Sequence, residues 1–439
     1  MNKPLNAQQR EYVFYHLAFS LDLDPELRGR FVFGGKKDGM ICFAESGEAY
    51  RKEAVLYLDD IPVLFPGDPS KPAYSIDNGT LLFHHDLLRS AFYLLSGYRE
   101  YRSAEKDALG RFPYEKSVQK ELGIIGKPVV NYYFQMIGAG IREYCKVHGL
   151  SFSEKRFFPG FGLLVTHDID RVDKYTFHTV KGKWKKGQWR KGLRWFLKWI
   201  NPLSQENPYW NFDYMTGTSA DRGLRDLYFF LNKDVPHIDS YYRFSDKRIR
   251  ELMLELKNKG HEIGLHGGVR STKDPEIMKK NKKQLEKALG NTVTGSRQHR
   301  LQFVLPDTMR HLETAAFAYD STLGFAAHEG FRNSYCLPFK LYDFENERMI
   351  DVWEFPLVLM DSTLFDYRRL SYEEAYQSIE HLADEVRKFH GLFTLLFHQS
   401  SLDEEEHPGI CDFYEKILDM LGSRNGFSFS PKTFLQSRI

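Results

Sequence analysis

The chain has 439 residues, with 61 Lys and Arg against 59 Asp and Glu, and is 42% hydrophobic. This length suggests two or three domains, or a small domain beside one of barrel size. The even charge balance excludes a wholly basic nucleic-acid coat and an acidic disordered chain. Aromatic residues make up 15% of the chain, which supplies a core and could leave rings for stacking on a sugar.

The four cysteines are widely spaced and form no CxxC pair, which favours reduced, mostly buried thiols. The first residues lack the apolar core and cleavage site of a secretory signal. No apolar run reaches the roughly 18 residues of a membrane-spanning helix. We therefore expect a cytoplasmic protein.

Up to about residue 157, strand-like runs such as 54–58 and 61–65 mix with helical stretches such as 85–98, and no catalytic pattern occurs. The turn-rich run FFPGFG at 157–162 then breaks the pattern. These features predict a smaller α+β N-terminal domain over residues 1–157.

From residue 158 to 439, short apolar runs alternate with helical segments, which indicates an α/β domain with a parallel sheet or barrel covered by helices. The predicted strands are 163–165, 227–231, 262–265, 292–294, 354–359 and 392–397. The predicted helices are 246–259, 274–289, 306–317, 371–390 and 411–422. In such folds the functional residues lie at the carboxyl ends of the strands.

Four of these strand ends carry polar residues that could meet at one rim. Asp168 and Asp170 follow the first strand two residues apart, so both carboxylates of an extended segment point the same way. Two close carboxylates favour a cation or a shared proton, although an Asx-type turn explains them equally well. His266, at the end of strand 262–265, could join Asp170 on a divalent ion such as Zn²⁺ or could be only hydrogen-bonded. His398, after strand 392–397, suits proton donation with a pKa near neutrality.

At this point the residues resemble a known family. THDID at 166–170, GHEIGLHGG at 260–268, SRQH at 296–299 and LLFHQ at 395–399 resemble the ordered motifs of polysaccharide deacetylases, the NodB-homology or carbohydrate esterase family 4 proteins. The branch that opens with THDxD and also carries YDSTLG, GFR and EFPL is the most similar. The resemblance covers roughly residues 160–400, and the N-terminal region is similar to the accessory domain that often precedes this branch.

The resemblance implies a distorted (β/α) barrel and a metal-dependent hydrolase of carbon–nitrogen bonds. Such an enzyme removes N-acetyl groups from amino sugars of a polysaccharide or glycolipid. Asp168 matches the general base, and His266 matches a metal ligand. The second Asp of the family's T-x-D-D motif falls on Ile169, so Asp170 would have to replace it as metal ligand. The second histidine of the family's H-x-x-x-H pair falls on Arg270, which cannot bind a metal because its guanidinium stays protonated.

Two explanations of Arg270 stay open at this point. Either another group completes the coordination of Zn²⁺ or a similar divalent metal, with His299 favoured over His167 and His261, or the metal is held weakly or not at all. The resemblance also implies that His398 protonates the leaving amine and that Arg297 orients Asp168 or lowers its pKa.

Residues 174–205 form a basic, tryptophan-rich insertion in this barrel. They contain nine Lys and Arg, no Asp or Glu, and four of the six tryptophans. Three glycines argue against a helix in the first half, whereas 193–200 is predicted to be a short helix. The composition suits contact with an anionic membrane surface or an acidic glycolipid. A solvated loop whose tryptophans pack on the barrel, or an entrance wall that stacks on sugars, would have the same composition.

The expected partner is therefore an N-acetylated carbohydrate substrate, and the composition of residues 174–205 also allows peripheral contact with an anionic membrane surface. Two alternatives remain, a catalytically inactive glycan-binding protein that has lost its metal and a hydrolase of a non-sugar amide. Nucleic acid is not expected as a partner, because charge outside the insertion is balanced and no recognition motif occurs. Nothing in the sequence predicts an oligomeric state.

Overall fold

The computed structural model describes residues 3–21, 23, 25–201, 206–235 and 238–437. Its first part is a small α+β domain. The strands there are β1 (Phe31–Phe33), β2 (Ile41–Phe43), β3 (Leu56–Leu58), β4 (Ile61–Val63), β5 (Tyr74–Asp77) and β6 (Thr80–Phe83). The helices are α1 (Ala7–Leu17), α2 (Pro25–Arg28), α3 (Leu87–Leu95), α4 (Tyr98–Arg102), α5 (Val118–Glu121) and α6 (Val129–His148), with 3₁₀ turns at Lys52–Ala54 and Tyr114–Lys116.

Four of these strands form a sheet in the order β1-β2-β6-β5, and β3 and β4 pair as a separate hairpin. Aromatic side chains fill the core beside the sheet. Phe43 stacks on Phe83 with ring centroids 4.8 Å apart, and Phe14 contacts Phe43 edge-on at 5.8 Å. Much of the aromatic content of the chain therefore serves packing.

A ten-stranded sheet organises the rest of the chain. Its strands are β7 (Phe161–Ile169), β8 (Leu227–Leu231), β9 (Glu262–Gly267), β10 (Gly295–Gln298), β11 (Tyr319–Asp320), β12 (Phe339–Asp343), β13 (Arg348–Glu354), β14 (Leu359–Met360), β15 (Leu392–Leu396) and β16 (Gly426–Ser428). They follow the order β12-β13-β11-β10-β9-β8-β7-β15-β14, and β16 also pairs with β7. Within this sheet, β12 pairs antiparallel with β13, and the other described pairs are parallel. This curled sheet confirms the predicted distorted (β/α) barrel preceded by a smaller α+β domain.

Helices cover the sheet. They are α7 (Phe177–Lys185), α8 (Trp189–Ile200), α9 (Phe212–Ala220), α10 (Lys247–Asn258), α11 (Pro275–Leu289), α12 (Asp307–Thr314), α13 (Tyr372–Lys388), α14 (Ile410–Ser423) and α15 (Pro431–Gln436). Short turns of other helix types lie at His299–Leu301, Thr363–Tyr367 and Gln399–Ser401. Local signals define several ends. For example, the Asp274 side chain caps α11, Pro275 occupies its first turn, and Gly290 ends it with a φ of 70°.

Two predicted strands were wrong in detail. Residues 292–294 precede the strand, which is β10. The prediction missed β10 because its Gly-Ser-Arg-Gln sequence lacks the apolar pattern expected of a buried strand. Residues 354–359 span the end of β13 and the start of β14 rather than one strand. All four β10 residues are buried, and the side chains of Ser296, Arg297 and Gln298 form hydrogen bonds.

A buried ion pair joins the two parts of the chain. Arg332 donates from Nη2 and Nε to the two carboxylate oxygens of Glu100 at 2.6 and 3.2 Å. His16 adds a second link, because its Nε2 accepts the backbone N–H of Lys340 at 3.0 Å. The domain boundary predicted at residues 157 and 158 falls between the two sheets and stays a prediction.

Candidate active site and metal centre

The predicted site residues lie at one end of adjacent parallel strands. Asp168 is the penultimate residue of β7 and Asp170 follows it, His266 lies in β9, and His299 directly follows β10. His398 lies two residues beyond β15, which pairs with β7 on its other side. Because these strands run parallel, their carboxyl ends meet at one rim, as the sequence indicated.

Three of these side chains form a group that could hold a metal ion. The potential ligand atoms of Asp170, His266 and His299 all lie within 4.8 Å of one another. Nε2 of His266 is 3.4 Å from one Asp170 oxygen, and Nε2 of His299 is 3.7 Å from the other. The buried Oδ1 of Asp170 has no hydrogen-bond donor among the described residues. A cation would satisfy that oxygen.

The outer nitrogen of each imidazole is already bound. His266 donates from Nδ1 to the carbonyl of Arg297 at 2.9 Å, and His299 donates from Nδ1 to Oδ1 of Asp239 at 3.0 Å. With the proton on Nδ1, each Nε2 presents a lone pair towards Asp170. Zinc-binding histidines typically show this arrangement, in which a carbonyl or carboxylate fixes the ring.

The charges of the group suit metal binding. Burial opposes ionisation of Asp170, but the facing His299 and His266 outweigh it and lower the pKa of Asp170 to about 2. Burial lowers the pKa of His266 below its usual value, against the attraction of the neighbouring carboxylates. The ionised Asp170 carboxylate and the neutral form that burial favours for His266 are the forms that ligate a divalent ion.

A buried arginine holds the candidate general base. Arg297 donates from Nη1 to Oδ1 of Asp168 at 3.0 Å and to Oγ1 of Thr166 at 2.7 Å. Its other nitrogens bind the backbone and side chain of Ser321, and its guanidinium lies 4.6 Å from the ring centroid of Phe229. The second oxygen of Asp168 lies 3.5 Å from Nε2 of His266. One Asp168 oxygen is thus fixed by Arg297 and the other faces the ligand group.

His398 is paired with a carboxylate that the sequence analysis did not single out. Asp361 accepts the Nδ1 proton of His398 at 2.8 Å and its backbone N–H at 2.9 Å. Burial lowers the pKa of His398, but the Asp361 charge and hydrogen bond outweigh it and raise the pKa to about 10. The expectation of a pKa near neutrality was therefore wrong, and His398 is an imidazolium at neutral pH with Nε2 as its outer donor.

Arg270 and the two other candidate histidines lie outside this group. Arg270 is exposed in the turn after β9, where its carbonyl accepts the N–H of Lys273 and Asp274. His167 points to the other face of β7, where its Nε2 is 3.7 Å from Asp226, and His261 lies beside the same aspartate. Of the histidines proposed to replace the missing ligand, only His299 reaches Asp170 and His266.

The insertion is more helical than predicted. Its first half forms α7 despite Gly182, and α8 begins at Trp189 rather than at residue 193. Gly192 serves packing, because a Cβ there would collide with Cδ1 of Trp184, so only glycine allows this approach of α8 to α7. Residues 202–205 of the insertion lie outside the described residues.

Lys174, at the start of this segment, pairs with Asp403 at 2.6 Å and with Glu405 at 2.7 Å. This buried lysine ties the segment that follows Asp170 to the loop that follows His398. No helix within the described ranges is long and apolar enough to cross a membrane.

Comparisons with known proteins give distant similarities. Residues 40–146 match the model of a family of unknown function (DUF7033). A search of curated proteins gives no match.

Among solved structures, a probable polysaccharide deacetylase from Pseudomonas aeruginosa PAO1 is 13% identical, with a TM-score of 0.41, over 62% of this chain and 88% of that one. PuuE allantoinase is 12% identical, with a TM-score of 0.40, over 62% and 89%. A CE4 family pseudoenzyme from Bacillus anthracis is 8% identical, with a TM-score of 0.32, over 62% and 63%. At this distance, the chemistry of the chain has to be argued from its own residues.

Proposed function

We propose that this protein is a metal-dependent hydrolase that removes N-acetyl groups from amino sugars of a polysaccharide or glycolipid. One observation carries the proposal. A ligand group of Asp170, His266 and His299 shares its rim with a carboxylate base, Asp168, and an imidazolium acid, His398. Metal-assisted hydrolysis of an amide uses these three parts together: a metal that activates water, a base that takes its proton and an acid for the leaving amine.

The donor set fits a catalytic zinc ion. Two imidazole nitrogens and one carboxylate oxygen are ligands that Zn²⁺ accepts, and three protein ligands leave a position for water or substrate. A divalent cation held there would supply Lewis-acid polarisation of the amide carbonyl and of a water molecule. The exposed position of Arg270 does not weaken the set, because His299 provides the second imidazole.

Asp168 takes the proton of the attacking water. Its Oδ1 is engaged by Arg297, so Oδ2, which faces His266, is the oxygen that accepts the proton. The buried guanidinium holds the Asp168 carboxylate in one orientation. Arg297 therefore acts as a positioning residue, because it contacts Asp168 rather than the reacting atoms.

His398 completes the reaction from the other side of the rim. As water adds to the carbonyl carbon and the carbon–nitrogen bond breaks, the nitrogen gains the Nε2 proton of His398 and leaves as an amine. The carbonyl fragment leaves as acetic acid, which becomes acetate as its proton passes to solvent. The proton on Asp168 then passes to His398, so both residues return to their starting charge. Asp361 stabilises the imidazolium before this transfer.

The choice of an N-acetylated sugar rests on the motif series between residues 166 and 399. A non-sugar amide would require the same acid, base and metal, so it remains the alternative substrate. An inactive glycan-binding protein is the other alternative, because Ile169 and Arg270 stand at the positions where the family has two of its metal ligands. Asp170 and His299 offer a ligand in place of each.

The test combines metal content with product release. The purified protein is expected to hold about one equivalent of zinc and to release acetate from N-acetylglucosamine oligosaccharides. His266→Ala and His299→Ala should lose both properties, whereas His381→Ala, an exposed residue on α13, should keep both. Acetate release that survives a chelator and both substitutions would contradict the proposal. Zinc binding without release from sugars, but with release from a small acetamide, would support the non-sugar alternative.

A further inference from the structure

We propose that the hairpin of α7 and α8 docks this protein onto an anionic membrane surface. The outer face of α8 carries largely exposed apolar side chains, of which Trp189 also stacks on Trp184 within the hairpin. Trp189, Leu193, Leu197 and Ile200 are 67%, 54%, 54% and 52% exposed. Their spacing of four, four and three residues places them on one side of the helix. We call these four residues the apolar ridge.

The opposite side of the hairpin already packs against the barrel, so the apolar ridge is not the face through which the hairpin is held to the rest of the protein. Trp195, on the opposite side of α8, is only 3% exposed. The amines of Lys183 and Lys191 lie 4.4 and 5.6 Å from its ring centroid. Both lysines also pair with Glu406. The hairpin is thus fixed to the barrel through one face and presents the other outward.

The unpaired charge of the hairpin is positive. Five of the nine basic residues of the insertion have an acidic partner, namely Lys174, Lys183, Lys191, Arg194 and Lys198. The other four are exposed and form no ion pair within the described part of the chain: Lys181, Lys185, Lys186 and Arg190. An exposed apolar stripe with tryptophan, flanked by unpaired cations, is the pattern of a helix that lies at an anionic lipid interface.

Charge also distinguishes a membrane from other occupants. A symmetric contact between two copies would bring the same unpaired cations on both chains together, which repel. A polar glycan alone would leave the aliphatic ridge residues without apolar contact. Anionic lipid offers both a negative surface and an apolar layer beneath it.

The hairpin lies close to the candidate active site, so its docking would affect where that site is held. The hairpin follows Asp170 closely in the chain and is clamped through Lys174 to the loop after His398. A docked hairpin would therefore hold the rim of the candidate site near the bilayer. Docking itself is independent of the proposed hydrolase activity, and it is tested without substrate.

The experiment is sedimentation of the full-length protein with phosphatidylcholine vesicles that contain about a third phosphatidylglycerol, compared with pure phosphatidylcholine. The protein is expected to bind the anionic vesicles. This binding should weaken about tenfold or more when the salt concentration rises from about 0.05 M to about 0.5 M, because the Debye length becomes roughly threefold shorter. Lys185→Glu with Lys186→Glu should lower the partition coefficient at least about tenfold. Lys280→Glu with Lys283→Glu, an exposed pair on α11, is the matched control and should change it little.

The apolar ridge is tested by Trp189→Ser with Leu193→Ser, which should lower binding about tenfold or more at both low and high salt. Val147→Ser, at a residue of α6 that is 58% exposed, is its control. Circular dichroism of each variant excludes loss of folding as the cause. The proposal would be overturned if the ridge variant bound vesicles as well as the unchanged protein, or if the protein did not sediment with anionic vesicles. A concentration-dependent dimer that the ridge substitutions abolish would overturn it as well.

Discussion

Asp361 binds His398 twice, through the ring Nδ1 at 2.8 Å and the backbone N–H at 2.9 Å. The pair links the segment after β14 to the segment after β15, its neighbour in the sheet. A buried carboxylate in this position stabilises the imidazolium and leaves only its outer nitrogen for proton donation. The geometry is that of a charged acid held ready for a leaving group.

Replacement of this partner should change the pH dependence of the reaction. In Asp361→Asn the pKa of His398 should fall from about 10 towards its ordinary value of 6.5, because the negative charge that raises it is gone. The alkaline limb of the profile of kcat/KM should then shift to lower pH, and activity at pH 8 should fall by about tenfold or more. Steady-state kinetics across the pH range measures this shift. Asp366→Asn, an exposed residue of the same segment, should leave the profile unchanged, and an unshifted profile in Asp361→Asn would refute the role of the pair.

A buried histidine should make the stability of the fold sensitive to acid. Burial lowers the pKa of His16 from 6.5 to about 3, while Nδ1 donates to the carbonyl of Tyr12 and Nε2 accepts from Lys340. Between these two values the unfolded chain binds a proton that the folded protein does not. The free energy of unfolding should therefore fall as the pH falls from about 6.5 towards 3. Urea unfolding at several pH values should show a flatter slope over this window in His16→Gln, and an identical slope would contradict the assignment.

The ion pair between Glu100 and Arg332 should contribute strongly to the connection between the two parts of the chain. Their side chains are 8% and 3% exposed, so removal of one partner leaves a buried charge. Glu100→Ala should lower the free energy of unfolding by about 3–5 kcal/mol. The double variant Glu100→Leu with Arg332→Met should lose less than Glu100→Ala alone. Urea unfolding of both, with Glu105→Ala as an exposed control, tests this, and a cost below about 1 kcal/mol for Glu100→Ala would contradict it.

Two glycines of the insertion provide a matched comparison. Gly192→Ala should loosen the packing of α8 on α7, because the new Cβ would collide with Trp184. Gly182→Ala meets no atom within 4 Å and should stabilise α7 by up to about 1 kcal/mol. Hydrogen exchange of the amides of α7 and α8 measures both effects. Equal protection of the hairpin in the two variants would show that Gly192 is not needed for close packing.

The ends of the central strands were predictable because apolar runs such as 227–231 and 392–397 are followed by charged or imidazole side chains. Parallel pairing then brings those ends together whatever the intervening loops do. The predicted position of strand β10 was wrong because its buried side chains are polar and find hydrogen-bond partners such as Ser321 only in the folded protein.

The residues that support the site were not predictable for a related reason. Asp239 lies 60 residues from His299 in the chain, and Asp361 lies 37 residues from His398. A single aspartate in a loop carries no periodic signal, and no short-range pattern links it to a distant ring. Only the tertiary fold brings each carboxylate to the imidazole that it orients.

The central claim is that Asp170, His266 and His299 hold one divalent metal ion. The most direct test is anomalous diffraction from crystals grown with Zn²⁺, recorded at the zinc absorption edge. The account predicts one strong peak about 2.0–2.2 Å from a carboxylate oxygen of Asp170 and from Nε2 of both histidines. Absence of a peak there, or a peak on other residues with these three side chains free of metal, would contradict it.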